Sequence, residues 1–170
     1  WGSNSAGQLG DGTLVNRSTA TAVSMPAGVT FIAITAGGAH TCGLAGTGVA
    51  YCWGNGLAGQ LGTGTGTNTK VPTIVAGGTT FSSLTAGDAH TCGIAAGTKV
   101  ALCWGRNLNG QIGTGSIATS TVLTPTAVTG SAQWASLSAG GTHTCGVTAG
   151  GIGYCWGANA SGQLGDGSTT

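Results

Sequence analysis

The sequence predicts an all-β protein assembled from a repeated unit of about 52 residues. The dipeptide Trp-Gly recurs at intervals of 52, 51 and 52 residues, at Trp1, Trp53, Trp104 and Trp156. Between these positions, short runs of β-branched, aromatic and small residues alternate with Gly-rich turns, which is typical of strands. No window of the chain carries a convincing 3.6-residue period, so we expect essentially no helix.

The repeated blocks divide the chain into a single array. A Gly-Gln-(Leu/Ile)-Gly block follows every Trp at a constant offset, and a block containing His-Thr-Cys precedes each later Trp. The predicted repeats are residues 1–52, 53–103 and 104–155, with a partial fourth repeat at 156–170. The sequence starts at Trp rather than Met, and both ends carry the same Trp-Gly to Gly-Asp-Gly segment. We therefore expect a mature or excised part of a longer array, or a subunit that continues into a neighbour.

The strands follow one another in the same order in each unit. The first strand opens on Phe31, Phe81 or Trp134, with a second large apolar residue three positions later. A hairpin comes next, because the runs at 40–44 and 49–53 flank a Gly-Thr-Gly turn.

Two residue types predict the edge and the loop of each unit. Pro72 and Pro125 lie at matching places, with Ala20 in the first repeat, and proline in a strand region indicates an outer edge. The third residue after each Trp is Asn or Gly, the types that best tolerate a left-handed backbone. We therefore expect a positive φ at these positions, which are Asn4, Gly56, Asn107 and Asn159.

The six cysteines fall two per repeat, at matching places around the hairpin turn. The pairs are Cys42 and Cys52, Cys92 and Cys103, and Cys145 and Cys155. Because each pair brackets its turn symmetrically, the two side chains face each other across neighbouring strands at disulfide distance. A ring of this size contributes on the order of 3 kcal/mol. Three such bonds predict an oxidising compartment, and therefore an extracellular or cell-surface protein.

A histidine stands two residues before the first cysteine of each pair, at His40, His90 and His143. One His and two Cys supply only three zinc ligands per repeat, without a Cys-x-x-Cys pair, so the pattern favours a disulfide over a zinc site. We expect these histidines to be structural, with a hydrogen bond to backbone or to a neighbouring repeat.

The charged residues are too few for most site chemistry. Four Lys plus Arg and three Asp make up 4% of the 170 residues, and there is no Glu. Asp88 stands two residues before His90, but Gly takes its place in the other repeats, so no orienting carboxylate for a catalytic triad recurs. Asp11 and Asp166 are favoured as turn residues over calcium ligands, because the middle repeats carry Thr there. We expect no enzyme activity, no catalytic residue, no metal and no cofactor.

A formal net charge of +1 excludes functions that need clustered positive charge. Nucleic acid binding requires Lys and Arg to neutralise phosphates, and a polybasic membrane patch requires the same residues. Gly, Thr, Ser and Asn interrupt every apolar run well short of the roughly 18 residues that span a membrane, so we expect no membrane insertion.

The phased pattern Trp-Gly-x-Asn-x-x-Gly-Gln-Leu-Gly-x-Gly, followed by Ala-Gly-x-x-His-Thr-Cys and Tyr-Cys-Trp-Gly, closely resembles the regulator of chromosome condensation type repeat. The resemblance spans the whole chain and implies that each repeat is one four-stranded blade of a β-propeller, a ring that roughly four to eight blades close. The paired cysteines are similar to those of secreted bacterial members of the family.

The resemblance implies a fold rather than a function. Members that act on chromatin or small GTPases use charged loop faces, which this chain lacks. The plant ultraviolet-sensing members use clustered Trp and Arg where this chain has Gly38-Ala39, Asp88-Ala89 and Gly141-Thr142, so we do not expect photoreception.

Two hypotheses of function follow. Three repeats and a fraction do not close a ring, and an open stack of blades exposes surfaces that invite another blade. The first hypothesis is a non-enzymatic extracellular structural protein that self-assembles through its blades into a ring or a fibre. Its partners are copies of itself or further blades of the same chain. The alternative is a propeller that presents its loops to a protein or glycan partner.

Glycosylation would keep so neutral a surface soluble. Asn16-Arg17-Ser18 and Asn159-Ala160-Ser161 match the N-linked acceptor pattern, and we expect Asn16 and Asn159 to be candidate acceptors.

Overall fold

The structure, a computed structural model, describes residues 1–117 and 119–170. The described residues contain eleven strands and no helix, which confirms the all-β prediction, and none of them forms a helix that could cross a membrane. The strands are β1 (Phe31–Ala36), β2 (His40–Ala45), β3 (Ala50–Gly54), β4 (Thr69–Ile74), β5 (Phe81–Ala86), β6 (His90–Ala95), β7 (Ala101–Arg106), β8 (Thr121–Ala127), β9 (Trp134–Ala139), β10 (His143–Thr148) and β11 (Gly153–Gly157).

These strands form three antiparallel meanders, which span residues 31–74, 81–127 and 134–157 and so each cross one of the predicted repeat boundaries. The first sheet has the order β1-β2-β3-β4, the second β5-β6-β7-β8, and the third β9-β10-β11. The third sheet therefore has three strands among the described residues, where the prediction gave each blade four. In the first two sheets the fourth strand begins 16 and 17 residues after Trp53 and Trp104, and the same spacing after Trp156 of the third sheet falls beyond residue 170.

The central hairpin of each sheet brings its two cysteines directly opposite each other. Cys42 pairs with Cys52 across β2 and β3, and all three pairs form disulfides with Cα atoms 4.1 Å apart. Pro72 and Pro125 lie in β4 and β8, the outermost strands, as the sequence predicts. Proline is tolerated there because its nitrogen, which has no hydrogen to donate, faces the open edge.

The sheets stand side by side like the blades of an incomplete propeller. The innermost strands contact each other in order, β1 with β5 and β5 with β9. Apolar side chains fill the space between neighbouring sheets, where Trp104 of the second sheet packs with Leu44 and Leu61 and with the Cys42–Cys52 disulfide. Trp156 packs in the same way against the second sheet. The described sheets do not close into a ring.

The prediction of a positive φ at the third residue after Trp is wrong. Positive φ occurs instead at the Gly that follows Trp, for example 100° at Gly54 and 106° at Gly105. At Gly105 a Cβ atom would lie 2.6 Å from the Ala89 carbonyl oxygen, so only Gly permits this close approach to the neighbouring strand.

The asparagines in these loops are buried and hold the loop together with their side chains. Asn107 Oδ1 accepts from Ile112 N at 3.2 Å, and its Nδ2 donates to the carbonyl oxygens of Ser116 and Thr119 at 2.8 and 3.2 Å. Gly56 takes the place of this Asn in one loop, which hid the side-chain role from the sequence analysis. At Gly56 the backbone lies so close to the Thr67 carbonyl oxygen that no Cβ atom fits.

Candidate functional site: the blade interface and its open face

Each boundary between sheets carries the same set of hydrogen bonds around one Gln carbonyl oxygen. The oxygen of Gln60 accepts from Thr91 Oγ1 at 2.8 Å and from Trp104 Nε1 at 3.0 Å. Gln111 accepts in the same way from Thr144 and Trp156, at 2.9 and 3.0 Å. The loop after each Trp therefore reaches across to the next sheet and fixes its Trp and its His-Thr-Cys strand.

A buried histidine completes each boundary from the other side. His40 Nε2 lies 2.9 Å from Thr91 Oγ1, and His90 Nε2 lies 2.9 Å from Thr144 Oγ1. Because each Thr gives its only hydrogen to a Gln carbonyl, the histidine must donate from Nε2. The Nδ1 atoms of both histidines are then unprotonated, and they have no partner within the described part of the chain.

Burial keeps these two histidines neutral. It lowers the pKa of His40 and of His90 from 6.5 to about 4, since the imidazolium form would lose its hydration. A neighbouring histidine adds to the effect in each case. A neutral ring with its hydrogen on Nε2 agrees with the hydrogen bonds, in which Nε2 donates and Nδ1 has no partner in the described residues.

The innermost strands contribute a further bond. Ala86 N donates to Thr35 Oγ1 of the preceding sheet, and Ala139 N donates to Thr85 Oγ1, both at 3.1 Å. Every internal boundary thus uses three groups of the preceding sheet, namely a β-strand hydroxyl, a histidine Nε2 and the carbonyl oxygen of a Gln in the loop before the fourth strand.

The third sheet presents the same three groups without partners in the described part of the chain. They are Ser138 Oγ, His143 Nε2 and the Gln163 carbonyl oxygen, which occupy the places of Thr85, His90 and Gln111. We call the surface formed by Ser138, His143, Cys145, Val147 and Gln163 the open face.

The open face also exposes apolar groups that internal boundaries bury. Val147 is 41% exposed, whereas Leu44 and Ile94 at the same place are 2% exposed. A depression of about 480 Å³ lies over the Cys145–Cys155 disulfide and is lined by Leu137 and Leu164. Apolar surface of this kind is covered by the next sheet at both internal boundaries, so the open face has the composition of an internal blade boundary.

The opposite end of the array is covered by the N-terminal segment. The Gln8 carbonyl oxygen accepts from Thr41 Oγ1 at 2.8 Å and from Trp53 Nε1 at 3.0 Å, as at an internal boundary. Thr41 receives no bond from a histidine in the described residues, in contrast to Thr91 and Thr144. We call this surface of the first sheet, formed by Ala36, Thr41 and Trp53 and covered by residues 1–15, the capped face.

Asp11 and Arg17 form an ion pair within one loop. Arg17 lies 2.9 Å from Asp11, whose side chain also accepts from Thr13 N and Thr13 Oγ1. The bonds from Thr13 hold the pKa of Asp11 well below its usual range. Asp88 N donates to Gly141 O at 3.2 Å, and the Asp88 side chain is exposed among the innermost strands. The described residues contain no group of three or more His, Cys, Asp or Glu placed to hold a metal ion.

The two candidate glycan acceptors lie in different surroundings. Asn159 is 5% exposed, and its Nδ2 donates to Ser168 Oγ at 2.9 Å, so the acceptor nitrogen is engaged in the folded loop. Asn16 is exposed and uses only its Oδ1, which accepts from Asn4 N at 2.8 Å. Glycosylation stays a prediction, and this geometry favours Asn16 over Asn159.

Comparisons with known proteins agree with the repeat architecture. The chain is 30% identical over 169 residues to the ultraviolet-B receptor UVR8 of Arabidopsis thaliana, covering 99% of this chain and 38% of the receptor. The crystal structure of human WBSCR16 superposes with a TM-score of 0.81 at 21% identity, over 92% of this chain and 41% of that chain. The ectodomain of the Physcomitrella patens receptor kinase CR4 superposes with a TM-score of 0.54 at 31% identity, over 79% of this chain and 29% of that chain. This chain thus spans less than half the length of each of them.

The family assignment follows from the repeats themselves. The sequence model of the regulator of chromosome condensation (RCC1) repeat matches residues 1–44, 47–94 and 101–147. A second model of the same repeat matches residues 31–60 and 134–163. The chain therefore belongs to the RCC1 repeat family, with the propeller blades of that family.

Proposed function

We propose that this chain is a non-enzymatic, extracellular structural repeat protein that self-assembles head to tail, the open face of one copy docking on the first sheet of another. The observation that carries the proposal is the set Ser138, His143 and Gln163, which offers the same groups that join the sheets within the chain. Since a heterologous contact repeats with every copy added, the assembly closes into a ring or extends as a fibre.

The character of the surface supports this proposal. Only seven side chains of the chain carry charge, with a formal net charge of +1, so copies repel one another little. The three disulfides are consistent with an extracellular protein, and they support placing the assembly outside the cell. The similarity to the ectodomain of a plant receptor kinase supports the same location.

The test is the concentration dependence of the mass of native, unreduced protein, measured by analytical ultracentrifugation and followed by negative-stain electron microscopy. We expect assembly in the original protein and about tenfold weaker association in His143→Leu, which removes one donor worth about 1 to 1.5 kcal/mol. Leu57→Ser is the control, because Leu57 is exposed in a loop away from the open face. A monomer at every concentration would contradict the proposal and favour the alternative, a module that binds a protein or glycan partner.

A further inference from the structure

The second sheet lacks an aromatic ring that the other two sheets have. In the strand after the hairpin turn, the residue opposite a Gly is Tyr51 in the first sheet, Tyr154 in the third and Leu102 in the second. The ring centroids of Tyr51 and Phe31 are 5.8 Å apart, and those of Tyr154 and Trp134 are 5.9 Å apart. The second sheet therefore has an aliphatic side chain in place of one ring of an aromatic pair.

A depression of about 460 Å³ lies beside Leu102, where the segment that leads from the first sheet to the second meets the hairpin turn of the second sheet. Ala95, Val100 and Leu102 line it with apolar groups, and Thr79 and Thr80 line it with hydroxyls. Both of the sheets that contribute to it are complete, so its shape is set by packing inside the array.

The first sheet fills the corresponding space with the ring of Tyr51, which is only 9% exposed. That ring packs in a cluster with the counterparts of three lining residues, namely Ala45 for Ala95, Val49 for Val100 and Val29 for Thr79. Because a leucine side chain is shorter than a tyrosine side chain, the space that the Tyr51 ring fills stays open at Leu102.

We propose that this depression binds a small aromatic molecule that carries a hydroxyl group and has a ring of the size of the tyrosine side chain. The ring of the ligand takes the place that the Tyr51 ring has in the first sheet, against Val100 and Leu102. The volume lies within the range of about 300 to 1,000 Å³ that small-molecule sites have. This site goes beyond the proposed function and does not depend on the association of copies.

The hydroxyl group of the ligand is indicated by a second difference between the sheets. Thr79 stands where the first sheet has Val29, so the second sheet adds a polar group to a place that is apolar in the first. Within the described chain, the hydroxyls of Thr79 and Thr80 make no hydrogen bond to other protein groups. A ligand hydroxyl can therefore bond to them without breaking an internal bond.

The walls of the depression are held in place by neighbouring segments. The two cysteines of this hairpin are 11 positions apart, compared with 10 in the other two hairpins, so its turn is one residue longer. The Lys99 carbonyl oxygen in the turn accepts from Trp134 N at 2.8 Å, and the Thr80 carbonyl oxygen accepts from Ala96 N at 2.9 Å. A preformed site of this kind loses little conformational freedom when a ligand binds.

Titration with p-cresol, the side-chain analogue of tyrosine, tests the site when two-dimensional amide NMR spectra of isotope-labelled protein follow it. We expect saturable shifts of the amide signals of residues 78–80 and 95–102. Leu102→Tyr fills the depression with the residue that the other two sheets carry, and it should weaken binding at these amides at least about tenfold. Thermal unfolding checks that the variant is folded.

The affinity is read from these amides alone, so binding of p-cresol elsewhere on the chain does not enter the result. The absence of saturable shifts at these amides, or equal affinity in the original protein and in Leu102→Tyr, overturns the site. Tyr51→Leu is the reverse variant, which gives the first sheet the arrangement of the second. We expect it to produce new saturable shifts at residues 28–30 and 45–51, and this readout remains if Leu102→Tyr does not fold.

Toluene, which has the same ring without the hydroxyl, tests the assignment to Thr79. We expect the original protein to bind p-cresol at least about threefold more tightly than toluene. Thr79→Val restores the residue of the first sheet and should remove this preference. Equal binding of the two compounds by the original protein, or a preference that persists in Thr79→Val, overturns the hydroxyl specificity.

Discussion

At the scale of single residues, the position in the array decides what a repeated side chain does. Thr41, Thr91 and Thr144 all donate to a Gln carbonyl, but only Thr91 and Thr144 also accept from a histidine. The threonine hydroxyl therefore makes one hydrogen bond at the capped face and two at an internal boundary. Substitutions at these positions should differ in how far they lower the free energy of unfolding.

Replacing Thr91 by Val should lower the free energy of unfolding by about 2 to 3 kcal/mol, because it leaves the buried Nε2–H of His40 without an acceptor. The matched control is Thr41→Val, which removes only the bond to Gln8 and should cost about 1 kcal/mol. Chemical denaturation of monomeric protein measures both values. Equal costs would show that the histidine bond adds no net stability.

The buried histidines predict acid sensitivity in a defined range. The pKa of His40 and of His90 is about 4 in the folded chain, compared with 6.5 for a histidine in the unfolded chain. Between pH 4 and pH 6.5 the unfolded chain therefore binds protons at these residues that the folded chain does not. The stability they confer is present in full above pH 6.5 and is lost as the pH falls through 4. The upper estimate is about 3 kcal/mol per histidine.

Denaturation curves at pH 7, 5.5 and 4.5 measure this loss before most carboxylates titrate. Asp11 does not confuse the result, because its folded pKa lies below its ordinary value of 3.8 and its contribution is lost only in stronger acid. A free energy of unfolding that stays constant from pH 7 to 4.5 would contradict the neutral, buried state of His40 and His90.

At the scale of elements, the disulfide-linked hairpin is the common part of all three sheets, but its surroundings differ. Cys42, Cys52, Cys92 and Cys103 are fully buried because the next sheet covers them. Cys145 is partly buried and Cys155 is exposed on the third sheet. The Cys145–Cys155 disulfide should therefore be more accessible to reagents than the other two disulfides.

A mild thiol reductant should reduce Cys145–Cys155 before the other two disulfides, because a thiolate must reach the sulfur that it attacks. Alkylation followed by peptide mass spectrometry identifies the first bond to open. On the proposed assembly, high protein concentration should protect this bond, since the neighbouring copy covers it. Simultaneous reduction of the three bonds in the monomer would contradict the difference in exposure.

At the scale of the whole molecule, the array is an open stack with one covered and one uncovered end. Most of its exposed surface is neutral, and the internal boundaries are joined by Thr, His, Trp and Gln groups rather than by ion pairs. The forces that would join two copies are therefore hydrogen bonds and apolar burial, which respond weakly to screening.

Assembly should depend little on ionic strength. Raising sodium chloride from about 50 to 500 mM should change the association constant by less than about threefold, because screening acts mainly on exposed charges. Sedimentation at the two salt concentrations measures the change. Dissociation at high salt would indicate that the few charges, including Arg17 and Asp11, join the copies.

Features set by local spacing were predictable from the sequence. The period near 52 residues, the hairpin and the symmetric placing of Cys42 and Cys52 fix the strands, the absence of helix in the described chain and the disulfide pairing. Each of these depends on residues that lie within one repeat. The sequence was misleading at Asn4 and Asn107, where the residue type suggested a positive φ. Their side chains instead donate to the backbone carbonyl of a residue nine positions later, which holds the loop closed.

The tertiary structure alone decided which groups join one sheet to the next. The bond from His40 to Thr91 spans 51 residues, and the bond from Thr91 to Gln60 spans 31. The sequence predicted a structural histidine that bonds to backbone or to a neighbouring repeat, and the bond to Thr91 confirms the second of these. The sequence could not predict the partner threonine, the tautomer or the neutral state, because these depend on groups that are distant in the chain. By itself the sequence determined that the chain is a series of similar blades. The packing of one blade on the next determined which face is covered and which, at Ser138, His143 and Gln163, has no partner among the described residues.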